Sequence, residues 1–196
     1  GVLYAWSVFA KQMTEPVSAG GLGLTKLEAS LPYMLAIGMF ALVMVPAGRL
    51  QDKLGPRWVA MSGALLTGLG LLASSFVEPG RIAPVLAGFG LLAGTGFGLG
   101  YAATTPAAIK WFPPERKGLI TGIVVSGFGL APVYIAPLAR HLLETNGVAG
   151  AFRILGVSFT VIALLLASRV TNPPEAAASA AKPAATGSDW RAMVRT

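Results

Sequence analysis

GRLQDKLGPR, residues 48–57, gathers Arg49, Asp52, Lys53 and Arg57 between two apolar runs, 29–47 and 58–77, that contain no charged residue. Each run is about 20 residues long, and at ~1.5 Å of rise per residue a helix of that length crosses a hydrocarbon core of roughly 30 Å. The stretch therefore reads as a tight charged loop between two membrane-spanning helices. The soluble alternative, a basic loop between two buried helices, fits poorly because long uncharged runs recur along the whole chain.

Composition points the same way. Hydrophobic residues make up 54% of the chain and charged residues 12%, where a soluble domain carries about 25% charged residues. Mean hydropathy is +0.68. Much of the surface needs an apolar solvent, so the lipid bilayer is the first partner implied. The net charge of +7 comes from short basic clusters between apolar runs, which is membrane topology and not a nucleic-acid stripe. Absence of cysteine excludes a disulfide scaffold, a cysteine nucleophile and a thiolate metal site. The chain opens at Gly1 inside an apolar run with no basic segment ahead of it, so no signal peptide is expected, and the upstream part of the first helix is expected to be missing.

The apolar runs predict six helices, at about 1–11, 27–47, 58–77, 82–108, 118–139 and 151–168, followed by a Pro- and Ala-rich linker over 169–196. The fold class expected is an all-α membrane bundle with a truncated first helix. Thr25 and Glu28 have the spacing of a capping box at the start of the second helix. In the fourth helix Gly90, Gly94 and Gly98 recur every four residues, and Gly122 follows in the fifth; such positions let helix backbones approach closely in lipid. The same run resembles a nucleotide loop only superficially, because Leu99 stands where the last glycine would be and no Walker lysine follows. With 48–57 on the cytoplasmic side, ten cations fall on that face and five on the other. That bias orients the bundle with its tail in the cytoplasm of a multi-pass inner (plasma) membrane protein.

No nucleophile, base and orienting group come together, so an enzyme is not expected. His141, the single histidine, lies beside Arg140 at a helix end. No cofactor and no metal site is implied. The informative residues are polar or aromatic groups inside predicted spans: Tyr4 and Trp6 in the first helix, Tyr101 with Thr104 and Thr105 in the fourth, Tyr134 in the fifth. A tyrosine offers an apolar ring and a hydroxyl donor, which suits a small organic anion, although a packing or lipid-interface tyrosine fits the same pattern.

Gly48, Asp52, Lys53, Gly55 and Arg57 resemble the motif between the second and third helices of the major facilitator superfamily, with Pro56 where many members carry arginine. YAWSVF at 4–9, the glycine-rich run through KWFPPERKG to Gly122, GFGLAPVYIAPL at 127–138 and DWRAMVRT at 189–196 are similar to the oxalate/formate antiporter branch. The resemblance implies the N-terminal six-helix half of a twelve-helix carrier that moves small carboxylates by alternating access. It places Tyr4 and Tyr101 against the substrate, assigns Gly48, Arg49, Asp52, Lys53, Gly55 and Arg57 to a gating loop, and leaves the pairing cations to a missing C-terminal half. Tyr134 departs from the small or apolar residue usual there. A non-transporting membrane protein or assembly partner, or a superfamily carrier of another substrate, remains the alternative.

Overall fold

Val2–Ala5 form a 3-10 turn that leads into α1, Trp6–Thr14. The computed structural model describes residues 2–174, so most of the expected linker, with DWRAMVRT at 189–196, lies outside the described residues. Helix α2, Lys26–Leu54, begins as the Thr25 and Glu28 spacing predicts. The Thr25 hydroxyl accepts from the Glu28 N–H at 3.2 Å, and the Glu28 carboxylate accepts from the Thr25 N–H at 2.8 Å. Two of the orphan amides that open the helix are thereby satisfied.

The charged stretch 48–57 is not a loop. Helix α2 continues through it to Leu54, and α3, Pro56–Ser74, starts one residue later. Arg, Leu, Gln and Lys are good helix formers, and a helix of 29 residues is roughly 43 Å long. It outruns the ~30 Å core, so its last two turns stand in the headgroup layer, where charges are solvated. Gly55, with φ of 83°, breaks the helix in a conformation open to glycine. Pro56 then takes the first position of α3, where its missing N–H costs nothing.

Helix α4, Ala83–Ile109, contains a wide π segment, Leu86–Ala93. A further helical stretch, Lys117–Ala167, breaks at Gly147 (φ 67°, ψ −177°), giving α5 (117–146) and α6 (148–167). The connection expected between the helices at 118–139 and 151–168 is thus one glycine corner. Leu142 and Leu143 are buried in the core beside Val148 and Phe152, and that burial holds the end of α5 helical past 139.

Two hydrogen bonds fix which ends lie together. The Trp111 indole N–H donates to the Thr171 carbonyl at 2.9 Å, so α4 ends and α5 starts where α6 ends. The Gly80 N–H donates to the Leu22 carbonyl at 3.2 Å, which joins the α1–α2 and α3–α4 connections at the opposite end. Successive helices therefore run antiparallel. Lys26–Leu54, Pro56–Ser74, Ala83–Ile109 and Pro114–Ala167 are each long and apolar enough to cross a membrane, the last in two passes. Leu42, Val45, Leu130 and Val133 are exposed on the outer faces of α2 and α5, as expected where lipid is the solvent.

Helix α4 is clamped between α2 and α3 through glycines on alternate residues. A Cβ at Gly90 would meet Leu35, one at Gly94 would meet Ala36, and one at Gly98 would meet Phe40, all on α2. Gly88 and Gly96 face Gly70, Ser74, Gly63 and Thr67 on α3 instead. Positions two apart are about 200° apart around a helix, which is why a glycine at every second residue serves two opposite neighbours. Gly88 and Gly96 face the same neighbour although eight α-helical residues would leave them about 80° out of register; the wider turns of the π segment take up that difference.

Candidate functional site

Four helices present stripes at positions i, i+4 and i+7 to a single cavity of about 550 Å³: Tyr33, Ile37 and Phe40 on α2, Ala60, Ala64 and Thr67 on α3, Phe97, Tyr101 and Thr104 on α4, and Phe159, Ala163 and Leu166 on α6. Leu3 and Tyr4 of the N-terminal turn also line it, and Phe128 of α5 contributes a ring. This spacing keeps side chains on one helix face.

The polar groups of the wall are few. Tyr4, Tyr33 and Tyr101 bring phenols; Thr67 and Thr104 bring hydroxyls. Tyr101 is held between two rings, edge-on to Phe40 at 5.6 Å and tilted against Phe128 at 5.3 Å between centroids. The Thr104 hydroxyl donates to the Gly100 carbonyl at 2.8 Å. Among the described residues no charged side chain lines the cavity. A carboxylate drawn into such a wall would lose its hydration without gaining a counter-ion, at a cost of several kcal/mol. Any anion held here draws its compensating charge from beyond this wall.

The cavity brings together two of the pathway residues expected from sequence, Tyr4 and Tyr101, and leaves three out. Trp6 is 5% exposed; its indole N–H donates to the Ala29 carbonyl at 2.9 Å, and its ring stacks on Phe89 at 4.2 Å. It is a core residue, joined to Phe9 and Phe152. Thr105 turns away from the cavity, with its hydroxyl buried and without a partner among the described residues, while Thr104 occupies the wall. Tyr134 is 62% exposed on the outside of α5: it lies six residues beyond Phe128, about 240° around the helix. Tyr33 was missed, although its α2 stripe with Ile37 and Phe40 is legible as i, i+4, i+7.

The gating set divides between two helix ends. Gly48, Arg49, Asp52 and Lys53 lie on the last turns of α2, Gly55 is the breaker and Arg57 opens α3. Arg49, Asp52, Lys53 and Arg57 are all exposed, and the ion pair found among the described residues is elsewhere, between Arg81 and Glu78 at 3.2 Å. Gln51, in the middle of this charged run, is by contrast 3% exposed. Of the packing glycines, Gly90, Gly94 and Gly98 sit in the α2–α4 seam, whereas nothing lies within 4 Å of a Cβ placed at Gly122. Among the described residues, then, Gly122 packs against no neighbouring helix.

A family model described as Major Facilitator Superfamily matches residues 2–196. The chain is 30% identical over 179 residues to the uncharacterized MFS-type transporter YhjX of Escherichia coli (strain K12), covering 89% of this chain and 42% of the relative. It is 28% identical over 173 residues to the oxalate:formate antiporter of Oxalobacter formigenes, covering 88% of this chain and 39% of the relative. Monocarboxylate transporter 11 of Mus musculus is 36% identical over 107 residues, 55% of this chain and 23% of the relative. The chain thus spans about two fifths of the length of the first two relatives.

Proposed function

The chain belongs to the major facilitator superfamily, and from that premise we propose that it is part of a secondary carrier moving small carboxylates across the membrane by alternating access. The observation that carries the reading is that Tyr4, Tyr33 and Tyr101 line one cavity that, among the described residues, has no charged residue in its wall. Each phenol supplies a donor to a carboxylate oxygen and a ring to a short carbon skeleton. Similarity to an oxalate:formate antiporter and to a monocarboxylate transporter supports the same substrate class.

The counter-charge is the part this bundle does not supply. We assign it to a second bundle of the same carrier, seated against the cavity's open side, in the way that superfamily carriers place a site between two halves. The helix ends at 54–56 and 109–117 are assigned to the cytoplasm. Seven described cations, Arg49, Lys53, Arg57, Lys110, Arg116, Lys117 and Arg169, lie at that end, against five at the other, the bias of a cytoplasmic face.

The test is equilibrium binding and exchange in proteoliposomes with the full-length carrier. Tyr101→Phe is expected to weaken carboxylate affinity by roughly 0.5–1.5 kcal/mol, the net worth of one hydrogen bond, with Tyr134→Phe as the unaffected control. Unchanged carboxylate affinity in Tyr4→Phe, Tyr33→Phe and Tyr101→Phe alike removes these phenols from the site.

A further inference from the structure

Charge is distributed unevenly between the two ends of the bundle. Gly98 of α4 packs on Phe40 and Val43 of α2, and Leu54 and Ile109, equally far along from that contact, end level with each other. The end they share carries seven described cations against two acids, Asp52 and Glu115. The other end carries five cations against Glu15, Glu28, Glu78 and Glu144. Residues 175–196 do not restore the balance, since they hold three cations and two acids. Among the described residues none of the seven cations is ion-paired; the ion pair found joins Arg81 to Glu78 at the far end. Uncompensated like charges in one layer repel, and an anion settling among them relieves that repulsion.

One hydrogen bond brings four of these cations from two segments to one corner. The Trp111 indole N–H donates to the Thr171 carbonyl at 2.9 Å, which ties the end of α6 to the α4–α5 connection. Lys110 precedes Trp111, Arg169 lies shortly before Thr171, and Arg116 and Lys117 close the connection where α5 begins. All four are exposed. Pro113 and Pro114 stiffen the backbone between them. The Trp111 ring is 53% exposed and Phe112 beside it is exposed as well, the ring chemistry of the level where hydrocarbon gives way to headgroups.

Each arginine also stands at the head of an apolar stripe. Arg116, Leu119 and Ile123 recur at i, i+3 and i+7 along the start of α5, and Ile162, Leu165 and Arg169 do the same at the end of α6. That spacing keeps side chains on one helix face. Leu119, Ile123, Ile162 and Leu165 are each more than half exposed. Cations at one end of an exposed apolar stripe match a molecule with an anionic head and a hydrocarbon tail, whereas a soluble anion has no use for the stripes.

We propose that the corner formed by Lys110, Arg116, Lys117 and Arg169 binds the headgroup of one anionic phospholipid, with its acyl chains along the α5 and α6 stripes. The phosphate accepts charge-assisted hydrogen bonds from the guanidinium and ammonium donors. Trp111 is a positioning residue: its N–H is spent on Thr171, so it acts by holding Arg169 near Lys110 and not by touching the phosphate. None of the four cations lines the cavity, and the inference does not depend on what the carrier moves.

The test is a titration of the full-length carrier in neutral detergent micelles with phosphatidylglycerol, the bound lipids being counted one by one by native mass spectrometry. Phosphatidylglycerol should give one adduct held roughly tenfold or more tightly than phosphatidylcholine. Lys110→Gln and Arg169→Gln should each weaken it roughly fivefold, the worth of one basic residue beside an anionic surface, while Lys26→Gln and Arg140→Gln at the other end leave it unchanged. Trp111→Phe keeps a ring and every charge but loses the bond to Thr171, and it should weaken the adduct several-fold; Trp58→Phe, also exposed at this end, should not. Equal affinity for phosphatidylcholine, losses as large at the other end or in Trp58→Phe, or a Trp111→Phe adduct as tight as wild type overturns the proposal. So does tight binding of glycerol phosphate in place of the lipid, which would make the corner a soluble-anion site. A wild-type carrier that takes up no phosphatidylglycerol overturns it as well and assigns the corner to an acidic protein segment.

Discussion

Replacing Gly94 with alanine should destabilise the bundle, while the same replacement at Gly122 should stabilise it. A Cβ at Gly94 would stand 2.8 Å from both the Cα and the carbonyl oxygen of Ala36, where ordinary contact begins at 3.4 Å. These are backbone atoms of α2 and cannot rotate aside, so the two helices must part by about 0.6 Å, as the shortfall in that contact requires. Overpacking of this kind costs ~1–3 kcal/mol. The alanine returns ~1 kcal/mol of helix propensity, leaving a net loss of about 1 kcal/mol. Leucine at the same position should cost more than alanine, because it adds three carbons beyond a Cβ that already overlaps the α2 backbone. At Gly122 nothing lies within 4 Å, so only the propensity gain of ~0.5–1 kcal/mol remains.

The opposite signs make the test sharp. In lipid, helices are not driven together by the hydrophobic effect; the α2–α4 seam holds through dispersion contacts that depend on close approach. Reversible unfolding of the full-length carrier in mixed micelles, with denaturing detergent as the titrant, measures both variants on one scale. The order of stability expected is Gly122→Ala, wild type, Gly94→Ala, Gly94→Leu. Gly94→Ala at or above wild type would refute the steric reasoning, as would a loss of stability in Gly122→Ala.

Three further outcomes follow from the same structure. Lys53→Cys and Pro79→Cys, both at exposed positions on opposite ends of the bundle, should react with an impermeant thiol reagent from opposite sides of the membrane, Lys53→Cys from the cytoplasm; labelling of Lys53→Cys from outside intact cells reverses the orientation. Asp52→Asn should slow exchange while leaving equilibrium binding within a few-fold, because Asp52 is exposed on the last turn of α2 and lines no part of the cavity; loss of binding in step with transport would place it in the site. Thr25→Ala should cost about 1 kcal/mol of stability in the same micelle titration, the usual worth of an N-cap side chain, and no change would mean that the capping box contributes nothing.

What the sequence made legible is what has a period or a fixed offset. Uncharged runs of membrane length located the helices, and the three-residue offset between Thr25 and Glu28 located the start of α2. The i+4 recurrence of Gly90, Gly94 and Gly98 marked a flank for close packing without naming α2 as the helix it meets. What stayed hidden depends on the environment at the helix ends. Charges at Arg49, Asp52 and Lys53 look like loop residues to any rule that expects a helix to stop where the apolar run stops. A helix that leaves the hydrocarbon core meets water and headgroups, though, and has no reason to unwind until a residue such as Gly55 breaks it. The same reasoning extends α5 through Thr145 and Asn146 to the corner at Gly147.

Placing Tyr4 and Trp6 together on one pathway shows where a reading by residue type fails. Two residues apart across the join of the 3-10 turn and α1, they lie about 200–240° apart around the axis, so a wall that holds one must turn the other away. Which of them faces inward is decided by partners from other helices. The Trp6 indole N–H is satisfied only by the Ala29 carbonyl, and its ring is enclosed by Phe9, Phe89 and Phe152. A tryptophan so engaged anchors the core end of the first helix. Tyr4, on the other side of the axis, is thereby left 53% exposed, with its hydroxyl free of any partner among the described residues. The anchoring of Trp6 is therefore what directs Tyr4 toward the cavity, and Trp6→Leu should disturb the placement of Tyr4 as well as the core: substrate affinity in the full-length carrier should fall in that variant even though Trp6 is not itself among the lining residues, and it should fall further than in Phe152→Leu, which loosens the same cluster from the α6 side.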